Sequence, residues 1–156
     1  MPAVVATMVQ IHIAIPGLRP GEWQFLLLKR SPAEMVYPGI WQVVTGGIQG
    51  SETALEAALR EILEETGLLP ERLWVLPYVG SFFDAMRDEV HMIPSFGCIA
   101  TTSDICLSEE HCECGWYSVE KALELLAMPS HREGTEVFLR AILRNPQPVF
   151  PVFTAK

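Results

Sequence analysis

Apolar and polar residues alternate from the start of the chain. Val9, Ile11, Ile13 and Ile15 are separated by Gln10, His12 and Ala14, a period of two that predicts a strand over residues ~4–15 with one buried face. His12 falls opposite the isoleucines and reads as a solvent-facing or internally satisfied histidine rather than a ligand. Pro16 to Gly21 supplies a turn. Residues 23–30, WQFLLLKR, are almost continuously apolar and end in Lys29 and Arg30, as a strand does when it leaves a covered core for a polar rim. Two prolines and a glycine make 31–40 a loop, and Trp41 to Gly46 predicts a short strand.

Further strands are predicted at 73–80, LWVLPYVG, and 90–100, VHMIPSFGCIA, flanking a polar connection over 81–89 with an aromatic tip at Phe82 and Phe83. Rim loops commonly carry substrate contacts, so either ring is a candidate to stack on a base; the alternative is plain packing. In 110–118, EHCECGWYS, Cys112, Cys114 and Trp116 alternate with His111, Glu113 and Gly115, which predicts a strand with its sulfurs inward. That alternation weighs against the zinc site that Cys106, His111 and the Cys-x-Cys would otherwise suggest. Helices are predicted at 119–127, capped by Ser118, and at 132–144, where Phe138, Ala141 and Ile142 share a stripe. The chain is therefore of the α/β class.

Residues 46–68, GGIQGSETALEAALREILEETGL, carry the chemistry. Thr53 and Glu56 form a capping box, Gly67 suits a left-handed C-terminal cap and Pro70 follows, so a helix runs from Ala54 to Thr66. Leu55, Ala58, Leu59 and Ile62 make its apolar stripe. Glu61, Glu64 and Glu65 then share a flank away from that stripe, within an arc of roughly 100°. Like charges so placed repel, two of them sit where the helix dipole disfavours anions, and Arg60 is the only local compensation. Two readings stand: a solvated acidic face, or a site for a hard divalent cation such as Mg²⁺.

At 156 residues, with 49% hydrophobic and 19% charged residues, the composition suits one globular domain over 1–146. A proline-rich apolar tail, 147–156, packs on its own domain or on a second subunit as a homodimer. A net charge of −8 argues against duplex nucleic acid and anionic membrane surfaces as partners. Residues 52–65 hold five Glu and one Arg, hence −4, half of that total in one helix. Without a signal-type segment or a C-x-x-C pair, the chain reads as cytoplasmic with reduced thiols.

Gly46, Glu52 and Arg60-Glu61-Ile62-Leu63-Glu64-Glu65-Thr66-Gly67-Leu68 match the G-x5-E-x7-R-E-U-x-E-E-x-G-U signature, in which U is a bulky aliphatic residue. In this the chain resembles the Nudix hydrolases. The resemblance implies an α/β/α sandwich with a mixed β-sheet between helices, and a hydrolase acting on phosphoric anhydride bonds. It further implies Mg²⁺, or Mn²⁺ in its place, held by Glu61, Glu64, Glu65, Glu110 and the Thr45 carbonyl. Glu61, Glu65 and Glu64 are the implied catalytic carboxylates; Arg60 orients them and Glu52 braces the loop. Lys29 and Arg30 become candidates for substrate phosphate, a surface ion pair being the alternative. Val44-Thr45-Gly46 replaces the family's common Pro-Gly-Gly, and Ser51 stands where a glycine is common. Trp41-Gln42 with Val44-Thr45-Gly46 resembles the dATP and dihydroneopterin triphosphate pyrophosphohydrolase branch. Gly47-Ile48 also resembles the dinucleoside polyphosphate and RNA 5′-pyrophosphohydrolase branch. The implied substrate is thus a nucleotide-type small molecule, and the remaining alternative is a regulatory Nudix domain that binds a nucleotide without turnover.

Overall fold

The computed structural model describes residues 1–154. The chain runs β1 (Ala3–Val5), β2 (Met8–Pro16), β3 (Trp23–Arg30), β4 (Trp41–Gln42), β5 (Val44–Gly47), α1 (Ala54–Thr66), β6 (Arg72–Asp84) and β7 (Glu89–Ile99). It continues through β8 (His111–Ser118), α2 (Val119–Leu125), α3 (Pro129–Phe138) with a π-helical turn over Leu139–Leu143, and β9 (Val152–Thr154). The strands form one sheet in the order β4-β3-β2-β7-β6-β9, with β1 on β7, β5 on β2 and β8 on β3. It is mixed: β7 runs parallel to β2 and to β1, with Gln10 opposite Ser95 and His12 opposite Gly97.

Each face of the sheet carries a core. On one, Val9, Ile11, Ile13, Leu26, Leu28 and Phe96 pack against Ala57, Ala58 and Ile62 of α1. On the other, Ala14, Phe25, Leu27 and Trp74 pack against Ala122, Phe138 and Ile142 of the C-terminal helices. This is the α/β/α sandwich. Phe138 stands so close over Gly97 that a Cβ there would overlap its ring; truncating this fully buried phenylalanine would cost ~3–5 kcal/mol.

Covering both faces corrects the expectation of a half-exposed first strand. Gln10 and His12 are as buried as the isoleucines beside them, because α3 lies over the side that alternation alone assigns to solvent. The loop expected over 81–89 shrinks to a turn over residues 85–88. Phe82 and Phe83 lie within β6, opposite His91 and Val90, and the Asp84 carboxylate accepts from the Met86 and Arg87 N–H groups to close the hairpin. The strand expected over 41–46 breaks at Val43, so that β4 pairs with β3 and β5 with β2. A bulge at Lys29/Arg30 shifts the start of β8: His111 is buried and Cys112 exposed, the reverse of the expected alternation, while Cys114 and Trp116 do pack on the α1-side core. The tail adds β9, with Phe153 opposite Leu73, and Phe150 packs on the second core. No helix among the described residues is long and apolar enough to cross a membrane.

Candidate active site

Local sequence fixes the helix that carries the carboxylates. The Thr53 hydroxyl accepts from the Glu56 N–H at 3.2 Å, and the Glu56 carboxylate accepts from the Thr53 N–H at 2.8 Å. Gly67 closes the other end in the left-handed region, φ 73°, and its N–H donates to Leu63. With both ends set, α1 turns a different face to the sheet than its leucines suggest. Ala57, Ala58, Glu61, Ile62, Glu65 and Thr66 are buried, whereas Leu59 and Leu63 are 39% and 48% exposed. The packed face is turned by roughly 60° towards the glutamates.

Two small residues permit this. Ala57 lets the helix approach, and Gly46 in β5 has no side chain where the Glu61 carboxylate lies; a Cβ on Gly46 would sit inside it. The three glutamates consequently divide. Glu61 and Glu65 are 8% and 3% exposed, while the Glu64 side chain is 56% exposed.

Arg60 organises the rim. Its Nε and Nη2 donate to the two oxygens of Glu52 at 2.7 and 3.0 Å, Nη1 to Glu61 at 2.6 Å and to Glu64 at 3.1 Å, and Nη2 also to the Gly47 carbonyl at 2.8 Å. All five guanidinium N–H groups are therefore engaged. The Arg60 hydrogen bonds, with the Gln49 N–H, lower the Glu52 pKa, so Glu52 serves as a permanent anion tying the 47–52 turn to the helix.

Glu61 and Glu65 behave oppositely. Burial raises the Glu61 pKa, and Arg60 only partly offsets it. Glu65 is pushed up to about 9, first by burial and then by the charges of Glu61 and Glu110, with Arg30 opposing. Its Oε2 is buried without a hydrogen-bond partner. A carboxylate in that position requires a proton or a cation. The donor set is oxygen only, which fits a hard divalent ion. Among the described residues no three His, Cys, Asp or Glu side chains already form a set that could enclose one; Mg²⁺ sites commonly take only one or two carboxylates and complete themselves with water and substrate phosphate.

The other expected residues are distributed as follows. Glu110 lies in the exposed turn before β8, and its charge reaches both Glu61 and Glu65. Thr45 is in β5 opposite Gln10, one residue before Gly46. Of the two cations ending β3, Arg30 pairs with Glu34 at 3.3 Å and its charge lowers the Glu65 pKa, whereas Lys29 lies 3.6 Å from Glu113 and 5.8 Å from the Trp41 ring centroid. Phe82 stacks flat on His91 at 4.6 Å, and Phe83 is 55% exposed. Sequence reasoning missed Gln42 and His111, whose side chains meet at 2.9 Å. Burial and Arg30 lower His111 to about 4, so it is a neutral neighbour of the cluster. Their adjacency depends on β4 and β8 both pairing with β3, which no local pattern reveals.

A mixed sheet between helices, presenting buried carboxylates from a capped helix against a glycine of the neighbouring strand, is the arrangement that the signature's resemblance to hydrolases of phosphoric anhydride bonds implies. The model of the NUDIX domain matches residues 8–138, and the chain belongs to that family. A nucleoside triphosphatase, NudI, of Salmonella newport is 30% identical over 105 residues, covering 62% of this chain and 74% of its own. The crystal structure of a MutT protein from Methanosarcina mazei superposes with a TM-score of 0.68 at 28% identity, over 89% of this chain and 95% of that one. An E. coli dihydroneopterin triphosphate pyrophosphohydrolase does so with 0.63 at 25% identity, over 84% and 94%.

Proposed function

We propose that the chain is a Mg²⁺-dependent pyrophosphohydrolase that cuts a nucleoside or pterin triphosphate to its monophosphate and pyrophosphate. The observation that carries this is Glu65, a buried carboxylate with an oxygen that has no hydrogen-bond partner among the described residues, one helical turn from Glu61, which itself packs against Gly46. Similarity to NudI and to the dihydroneopterin triphosphate enzyme supports the triphosphate class.

Glu61, Glu64, Glu65, Glu110 and the Thr45 carbonyl are the residues that would hold Mg²⁺, or Mn²⁺. When bound, the ion neutralises polyphosphate charge and lowers the pKa of a coordinated water. The remaining roles belong to the chain. Arg60 keeps Glu61 and Glu64 aimed by spending every N–H it has. One of the buried carboxylates, Glu61 or Glu65, or the exposed Glu110, takes the proton of the attacking water as its oxygen bonds to phosphorus. The P–O bond to the leaving pyrophosphate breaks in the same displacement. Arg30 contacts a substrate phosphate; Lys29, engaged with Glu113 and Trp41, supplies long-range positive charge to the same rim. Of Phe82 and Phe83, which point to opposite faces of the β6–β7 hairpin, the 55% exposed Phe83 is the more open aromatic candidate for base contact, since Phe82 is stacked on His91.

Anion-exchange analysis of products from dATP, dihydroneopterin triphosphate and diadenosine tetraphosphate, with and without Mg²⁺, tests this reading. Metal-dependent pyrophosphate and monophosphate from either triphosphate is the expected result. Turnover of the dinucleotide alone would replace the triphosphate assignment. Thermal stabilisation by nucleotide with no product from any of the three would make the chain a nucleotide-binding regulator and overturn the proposal.

A further inference from the structure

The loop between β3 and β4, residues 31–40, sets three successive large apolar side chains in solvent: Met35 is 97% exposed, Val36 61% and Tyr37 58%. Tyr37 also has φ 48°, a left-handed conformation that costs an aromatic residue ~1–2 kcal/mol. A floppy loop would relax it. This one is pinned at both its main chain and its tip. The Arg30 N–H donates to the Ile40 carbonyl and the Gly39 N–H to the Arg30 carbonyl, at 2.9 and 3.1 Å. The Arg30 Nε donates to the Val36 carbonyl at 2.9 Å, and Nη2 reaches the Glu34 carboxylate at 3.3 Å. The Ser31 N–H donates to the Glu110 carbonyl at 2.8 Å, so the start of the loop is tied to the main chain of Glu110, one of the residues proposed above to hold the metal.

Arg30 therefore faces two ways. Its backbone pairs with His111 at the start of β8, next to Glu110, and its guanidinium holds the tip of the 31–40 loop. Five N–H donors are available to an arginine and the loop takes two of them, which leaves donors free to meet a phosphate without releasing Val36.

We propose that Arg30 bridges a substrate phosphate and the 31–40 loop, so that Met35, Val36 and Tyr37 form an apolar clamp on the organic group attached to the polyphosphate. These side chains, and Tyr37 first among them, then set specificity for a planar ring over a bare polyphosphate. The strained backbone of Tyr37 is the conformation that presents the ring, and Arg30 maintains it. This rests on the triphosphate reading above.

The test compares a ligand that has the organic group with one that lacks it. The KM of whichever triphosphate is turned over, and the Ki of inorganic tripolyphosphate against it, are measured for wild type, Tyr37→Asn and Arg30→Ala with saturating Mg²⁺. Asparagine tolerates the left-handed region, so Tyr37→Asn removes the ring without adding strain. It should raise KM about tenfold, the scale of one lost stacking contact, and leave the tripolyphosphate Ki within about twofold. Arg30→Ala should weaken both. A change in KM below about twofold in Tyr37→Asn, or an equal shift of KM and Ki, would overturn the clamp. Should the wild type release no pyrophosphate, the triphosphate reading fails separately; the same ratio is then read from equilibrium dissociation constants of dATP and tripolyphosphate, and a ratio unchanged in Tyr37→Asn overturns the clamp there too.

Discussion

Two buried polar clusters lie on opposite faces of one sheet and follow opposite rules. Under α3, Gln10 Nε2 donates to the Ser130 carbonyl and to His12 Nε2 at 3.1 and 3.2 Å, and His12 Nδ1 lies 3.1 Å from the Thr135 hydroxyl. That hydroxyl spends its hydrogen on the His131 carbonyl at 2.8 Å, so it must accept from His12. The tautomer is thereby fixed: His12 carries its proton on Nδ1, stays neutral and has both ring nitrogens satisfied. Against α1 the groups are charged. Arg60 satisfies Glu52, Glu61 and Glu64, and Glu65 is left with a buried oxygen that has no hydrogen-bond partner among the described residues. The His12 ring is fully paired, although Gln10 Oε1 and His131 Nδ1 beside it have no partner among the described residues; a neutral network of this kind stabilises and specifies a core. An open anionic one costs stability and is kept for what binds there.

The sharpest way to break this contrast is to neutralise the open side. Glu61→Gln and Glu65→Gln should each lower kcat by a factor on the order of 10³ at saturating Mg²⁺, with the fold intact by far-UV circular dichroism. Glu65→Gln should also leave the metal-free Tm equal to or above that of wild type, because it removes a buried carboxyl that neighbouring anions repel. Turnover close to wild type in both variants would return Glu61 and Glu65 to an ordinary packing role.

The two clusters were unequally legible in the sequence. The helix limits Ala54 and Thr66, the capping box and the left-handed Gly67 follow from local chemistry and match the structure residue for residue, because caps are decided by near neighbours. That Glu61, Glu64 and Glu65 crowd one flank of α1 was visible in the sequence, as was the signature spacing that marks them as candidates. Which of them is buried was not, since that depends on Gly46 approaching from another strand. The His12 network was invisible for a related reason. Alternation in β2 says that two faces differ; it cannot say that a second helix layer arrives some 120 residues later, with Thr135, to cover the polar one. Phe82 and Phe83 were misplaced in a loop because charged and turn-prone residues around Asp84 to Asp88 masked a long hairpin that pairs through both phenylalanines.

Acid should act through the buried histidines, His12 under α3, His131 within it and His111 beside the carboxylates. Burial lowers His12 to about 3 and His131 and His111 to about 4, from an unperturbed 6.5. Below pH 6.5 the unfolded chain thus binds protons that the folded chain refuses. Stability is full above that pH and falls as pH drops, by at most ~1.4 kcal/mol per unit per histidine, until the folded pKa values are reached. Urea midpoints between pH 7.5 and 4.5 should show this loss. His12→Gln, which keeps a donor and an acceptor but cannot titrate, should flatten the profile by the share of one histidine. Parallel profiles for variant and wild type would show that His12 is not held neutral.

The smallest effect probes whether the two faces are independent. Thr135→Val keeps the shape of the side chain but strips the oxygen that accepts from His12 Nδ1, and it also removes the donor to the His131 carbonyl. The His12 N–H, fully buried, then has no acceptor, at a cost of ~1–3 kcal/mol at pH 7. The midpoint of unfolding should fall accordingly, while kcat and KM stay within about twofold of wild type, because the sheet separates Thr135 from Glu61 and Glu65. Gln10 gives this arm its force: it pairs with Thr45 across β2 and β5, one residue from the glycine that receives Glu61. If loosening His12 lets Gln10 and β5 shift, kcat will fall with stability, and the two clusters would have to be treated as one coupled device rather than as a scaffold and a site.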